Sequence, residues 1–82
     1  MPAIPPPVLY RSNLQILVAL LTRLQEFPHN AYFQELVRER AALTVAARSR
    51  CSPAVRADNA DLEHQVAIAY YALQHLNYPA GF

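Results

Sequence analysis

Apolar residues recur at helical spacing through almost the whole chain. Leu14, Leu17, Val18, Leu21 and Leu24 fall on one stripe of a helix, and Ile16, Leu20 and Phe27 widen it. A stripe that wide needs apolar contact on more than one side. The spacing predicts a first helix over residues 12–27. Ser12 would cap it, with Gln15 three residues on in the capping-box pattern. Pro28 would end it, because a proline pushes the residue before it out of the helical region.

A second helix is predicted over 30–50, capped by Asn30. Its apolar face is Tyr32, Phe33, Leu36, Val37, Leu43, Ala46 and Ala47. Arg48 and Arg50 in its last turn complement the helix dipole. Ser52 and Pro53 then suit the N-cap and first position of a third helix over 53–77. Here the pattern is clearest. Val55, Asn59, Leu62, Val66, Ala69, Leu73 and Leu76 alternate steps of four and three, a heptad seam with Asn59 as its one polar member. A short first turn over 53–57 with a fresh N-cap at Asp58 is the alternative start. Asn77, Tyr78 and Pro79 close the helix.

The short connection around residues 51–53 predicts that the second and third helices form an antiparallel hairpin. Folding there sets Ala47 near Val55, Leu36 near Val66, and Tyr32 and Phe33 opposite Ala69. Arg40 would lie beside Asp61 and Glu63 as a cross-hairpin ion pair. The fold class is thus all-α, with three helices (12–27, 30–50 and 53–77), the last two a hairpin. They make one domain over 12–82. Residues 1–11 read as a proline-rich arm, since four prolines in seven residues favour extended polyproline II structure. Pro2 and Pro5 match the spacing of an SH3-type ligand only at the level chance provides.

Composition removes several function classes. Gly81 is the only glycine, so phosphate-cradling loops, dinucleotide fingerprints and nucleophile elbows have no place to form. Cys51 is the only cysteine, which excludes an internal disulfide and a thiolate metal cluster and suits a reducing cytoplasm. The start of the chain lacks the basic and apolar regions of a signal peptide. Its longest fully apolar run, Ile16 to Leu21, is far below the roughly 20 residues of a spanning helix. All seven basic residues are arginine, beside fourteen alanines, a bias that suggests a GC-rich bacterial or phage genome.

Candidate sites are few. His64, Ile68, Tyr71 and His75 form a second stripe on the third helix. Eleven residues separate the histidines, about 16 Å of helix rise, so they cannot share one metal ion. No cofactor or metal is therefore expected. Ser, His and Asp are all present, yet no spacing sets a nucleophile beside its base, and no enzyme is expected. Five arginines and five acids balance between residues 35 and 63, which describes a solvated, ion-paired surface rather than a nucleic-acid footprint. Only the hairpin tip, Arg48 to Arg56, is locally basic. The polar side of the first helix carries just Arg23 and Glu26, too little charge for a membrane-surface helix.

What remains is an apolar inventory larger than one hairpin seam can use. The expected function is a non-enzymatic protein-binding module, an adaptor, co-chaperone or inhibitor of a partner protein. It would dock through Leu17, Leu20, Leu21 and Leu24 with Ile68, Tyr70 and Tyr71. The partner is another protein or a second copy. The alternative is a small nucleic-acid-associated regulator using the Arg48–Arg56 tip. In size and layout the chain is similar to the small helical-hairpin co-chaperones of bacterial secretion systems, a likeness of fold that does not identify function.

Overall fold

The computed structural model describes residues 4–76, which form helices and no strand. In chain order these are α1 (Pro6–Glu26), α2 (Ala31–Arg48), α3 (Pro53–Asp58) and α4 (Ala60–Gln74).

α1 starts six residues earlier than the pattern predicts, so most of the expected arm is helix. Pro5 is extended at its N-cap, with φ −58° and ψ 142°, and Pro6 and Pro7 open the helix. The amide hydrogens of the first turn have no partner within a helix, so losing them to proline there costs nothing. The first amide to bond is that of Leu9, to the Pro5 carbonyl at 3.0 Å. Ser12, expected as the cap, is instead an exposed residue inside the helix. The added turns continue the leucine stripe backwards to Tyr10, which is 1% exposed.

α2 begins where the sequence places it. The Asn30 side chain accepts from the Phe33 amide at 3.0 Å. Its inward stripe is narrower and smaller than expected: Val37, Thr44 and Ala47 are buried, while Tyr32 and Leu43 are exposed. Thr44 is admitted because its hydroxyl donates to the Arg40 carbonyl at 2.7 Å. Small side chains on this stripe let α1 and α2 approach closely.

The expected third helix is two. Ser52 caps α3, accepting from the Val55 amide, and Pro53 takes the first position. The helix then breaks at Asn59, whose φ of −107° and ψ of 14° leave the helical range. The alternative of a short first turn describes this arrangement, with the break one residue beyond Asp58. Asn77, predicted as the last residue of the third helix, lies outside the described residues.

The largest correction concerns the hairpin. The backbones of α2 and α4 do not approach each other closely along their lengths. Both pack on α1. One core cluster joins Leu17, Leu21 and Leu24 of α1 to Val37 of α2 and to Ala69 and Leu73 of α4. A second joins Tyr10 and Leu14 to Ala47, Cys51 and Leu62. The seam Leu62–Ala69–Leu73 therefore closes mainly on α1, with Val37 and Ala47 of α2 in the same clusters. The physical reason lies in stripe width: only α1 has enough large apolar residues to serve two neighbours.

Two buried asparagines fix the registers. Asn13 of α1 donates to the Leu9 carbonyl at 2.9 Å and accepts from Arg40 of α2 at 2.7 Å. Asn59 donates to the Val55 carbonyl at 2.8 Å and accepts from Arg11 of α1 at 3.0 Å. Arg40 thus finds an amide rather than the predicted Asp61 or Glu63. Each arginine reaches over from an exposed or half-buried position to a buried acceptor, and each buried polar side chain is satisfied as burial demands.

Candidate protein-docking groove

Because α2 and α4 lean on α1 without closing on each other, a trough runs between them. Tyr10, Leu14 and Leu17 of α1 make its floor. Ala41, Thr44, Val45 and Arg48 form the α2 wall, and Glu63, Val66 and Tyr70 the α4 wall. Its volume is about 260 Å³. Most of this lining is apolar, with the charge gathered at the Arg48 and Glu63 end.

That charged end is a three-way contact. The Tyr10 hydroxyl donates to the Glu63 carboxylate, and Arg48 Nε donates to the same oxygen at 2.9 Å. Burial, then the neighbouring Glu63, pushes the Tyr10 hydroxyl up to about 12. Tyr10 therefore remains a donor at neutral pH. The bond from Tyr10 is the main force holding the Glu63 carboxyl below its ordinary value of 4.5; partial burial opposes it, and Arg48 adds to it. A lowered carboxyl means that folding favours the ionised form. Its contribution to stability is present above pH 4.5 and is lost as pH falls below that value. Glu63→Gln should flatten this acid limb: unfolding midpoints measured in urea from pH 7 to pH 3 should fall less in the variant than in the parent. Equal slopes would separate Glu63 from acid sensitivity.

The predicted docking residues divide into three groups. Leu17, Leu21 and Leu24 are buried at 3%, 0% and 0% exposure, so they are core, and Leu17 also lines the floor of the trough. Leu20 packs half-buried against that core. The leucines at the centre of the stripe are spent inside the molecule, on two neighbours, while Ile16 and Phe27 at its margins are exposed. Tyr70 is half-buried and lines the trough, where burial raises its hydroxyl pKa. Ile68 and Tyr71 are exposed at 53% and 63%. They lie on the outer side of α4, away from α1.

Sequence reasoning missed the floor residue Tyr10 and the lip residues Ala41 and Val45. Tyr10 was legible, since it continues the stripe four residues before Leu14. Val45 was not, because nothing in α2 distinguishes it from exposed Leu43. Of the basic tip, Arg48 is tied to Glu63, whereas Arg50 is exposed. The Cys51 thiol is buried and lies 3.3 Å from the Ala47 carbonyl, where it acts as a small core residue. Among the described residues no three His, Cys, Asp or Glu side chains gather as metal ligands would. No described helix is long and apolar enough to cross a membrane.

The fold and the trough define a small all-helical protein with an open interhelical groove. Compared with known proteins, the chain matches no family model, no curated protein and no solved structure.

Proposed function

We propose that the chain is a non-enzymatic protein-binding module, an adaptor, co-chaperone or inhibitor, that takes an amphipathic helix of a partner protein between α2 and α4. The observation that carries this reading is the trough itself. Two helices rest on a third and leave an apolar channel between them, bounded at one end by an ion pair. Helix-in-groove docking uses that geometry: apolar anchors at i, i+3, i+4 and i+7 seat in the channel, and polar residues stay outside. The Arg48–Glu63 pair offers both signs of charge to the edge of such a helix. A cytoplasmic setting belongs to the same proposal and rests on the free, buried thiol of Cys51.

The test compares the groove lip with the far side of the same helix. Val45 is 68% exposed and lines the groove. Leu43, at 51%, lies two residues away, roughly on the opposite side of α2. A photo-crosslinking side chain at position 45 should capture a partner in cells of the native host, and one at position 43 should not. Val45→Arg should weaken capture of that same partner by about tenfold or more, while Leu43→Arg leaves it intact. Capture at 43 alone, or indifference to Val45→Arg, would remove the groove as the docking site.

A further inference from the structure

A second cleft opens on a different side of α1 from the trough and shares no lining residue with it. Pro7, Val8 and Arg11 of α1 form one wall, and Val55 and Asp58 of α3 the other, with buried Asn59 joining them. Its volume is about 400 Å³, within the range of roughly 300–1,000 Å³ that small-molecule sites occupy.

Asn59 sets the charges of this cleft. Its amide nitrogen donates to the Val55 carbonyl, which leaves its oxygen to accept from Arg11 Nη1 at 3.0 Å. The guanidinium is thereby held through Nη1. Its Nε and Nη2, the paired donors of the side edge that match a carboxylate, have no partner among the described residues. Asp58 directly precedes Asn59, so the same junction places its carboxylate on the opposite wall. The two charges do not meet. Among the described residues Arg23–Glu26, Arg38–Glu35 and Arg48–Glu63 are ion-paired, and neither Arg11 nor Asp58 is.

A cation and an anion that face one cleft without pairing select against simple ions. A dianion such as inorganic phosphate gains from Arg11 and loses to Asp58, and a bare cation does the reverse. A molecule carrying both charges satisfies both walls. The rest of the lining that faces it, Pro7, Val8 and Val55, is apolar, and Val8 is 54% exposed. We propose that this cleft binds a small zwitterion, a free α-amino acid with an aliphatic side chain. Its carboxylate takes the Nε and Nη2 edge of Arg11, its ammonium group takes the Asp58 carboxylate, and its side chain lies against Val8 and Val55. Because Asn59 already holds Arg11, binding is spared the cost of ordering that long side chain. Helix docking in the trough and amino-acid binding here succeed or fail separately.

Titration of the isotope-labelled full chain with leucine, read by amide chemical shifts, tests the assignment. The amides of Val8, Arg11, Val55 and Asp58 should shift and saturate, while those of Ala41 and Tyr70 stay in place. N-acetylleucine lacks the cation and stands for a peptide C-terminus; leucinamide lacks the carboxylate and stands for an N-terminus. Each should bind at least about tenfold more weakly than leucine. Asp58→Asn, at an exposed position, should weaken leucine binding about tenfold and leave N-acetylleucine binding no weaker. Arg11→Lys keeps a donor for Asn59 but loses the side-edge fork, and should weaken both compounds. If Arg11→Lys does not fold, Asp58→Asn carries the test alone. No shift up to the solubility limit of leucine would overturn the proposal. So would equal binding of leucine and leucinamide, undiminished binding to Asp58→Asn, or shifts confined to the trough.

Discussion

Leu21→Ala is expected to lower the stability of the domain by about 2–5 kcal/mol, the range for emptying a fully buried aliphatic site. Leu21 is 0% exposed and sits where α1 meets both neighbours, between Val37 on one side and Ala69 and Leu73 on the other. Neither wall can collapse inward without pulling away from other contacts, so the cavity should persist. An 82-residue domain has on the order of 4–12 kcal/mol of stability in all. The variant should therefore unfold at much lower urea, with a large unfolded fraction at 37 °C. Tyr71→Ala is the matched control. Its side chain is 63% exposed, and its loss should change stability by no more than about 0.5 kcal/mol. Similar urea midpoints for the two variants would contradict the placement of α1 at the centre.

Removal of residues 1–11 should be as damaging, and removal of residues 1–4 nearly silent. The longer deletion takes away Tyr10, whose loss alone belongs to the class costing about 3–5 kcal/mol. It also removes Arg11, the donor to buried Asn59, and the first turns of α1. The shorter deletion spares the Pro5 N-cap and all of α1. Thermal melts of the two chains decide the matter. If both melt together with the parent, Pro6–Arg11 is not part of the helix that holds the core.

The contrast between those deletions shows where sequence reading succeeded and where it stopped. Periodicity identified the helical class, the Asn30 and Ser52 caps, and the inward side of α4 from Leu62 to Leu73. These features depend on residues near one another in sequence, so local rules reach them. The start of α1 was misplaced because proline has two meanings: it excludes helix interiors and favours helix starts. Tyr10, four residues before Leu14, was the sign that the second meaning applied. The choice of neighbours was not legible in the same way. A heptad seam says that a helix packs lengthwise on something, but not on what. Its occupant was decided by the width of the α1 stripe, a comparison among all helices at once.

Ile68, Tyr70 and Tyr71 stand out in the sequence as bulky residues off the Leu62–Leu73 seam; Tyr70 lines the trough, whereas Ile68 and Tyr71 lie outside it. The leucines of α1 were assigned outward by the same reasoning and lie inward. Val45 and Ala41 gained their place only because α2 and α4 stand apart. That separation is a property of the packing, and no single helix encodes it.

The two arginine–asparagine contacts have a consequence for affinity. Arg40 to Asn13 and Arg11 to Asn59 tie α1 to α2 and to the α3–α4 junction at fixed heights. Sliding either neighbour by one turn, about 5.4 Å, would strand a buried amide. The two walls of the trough are therefore each fixed in height against α1, and the Arg48–Glu63 bond links them at one end. Under the proposed docking, a visiting helix would meet walls already in register on α1 and would keep more of its contact energy as binding.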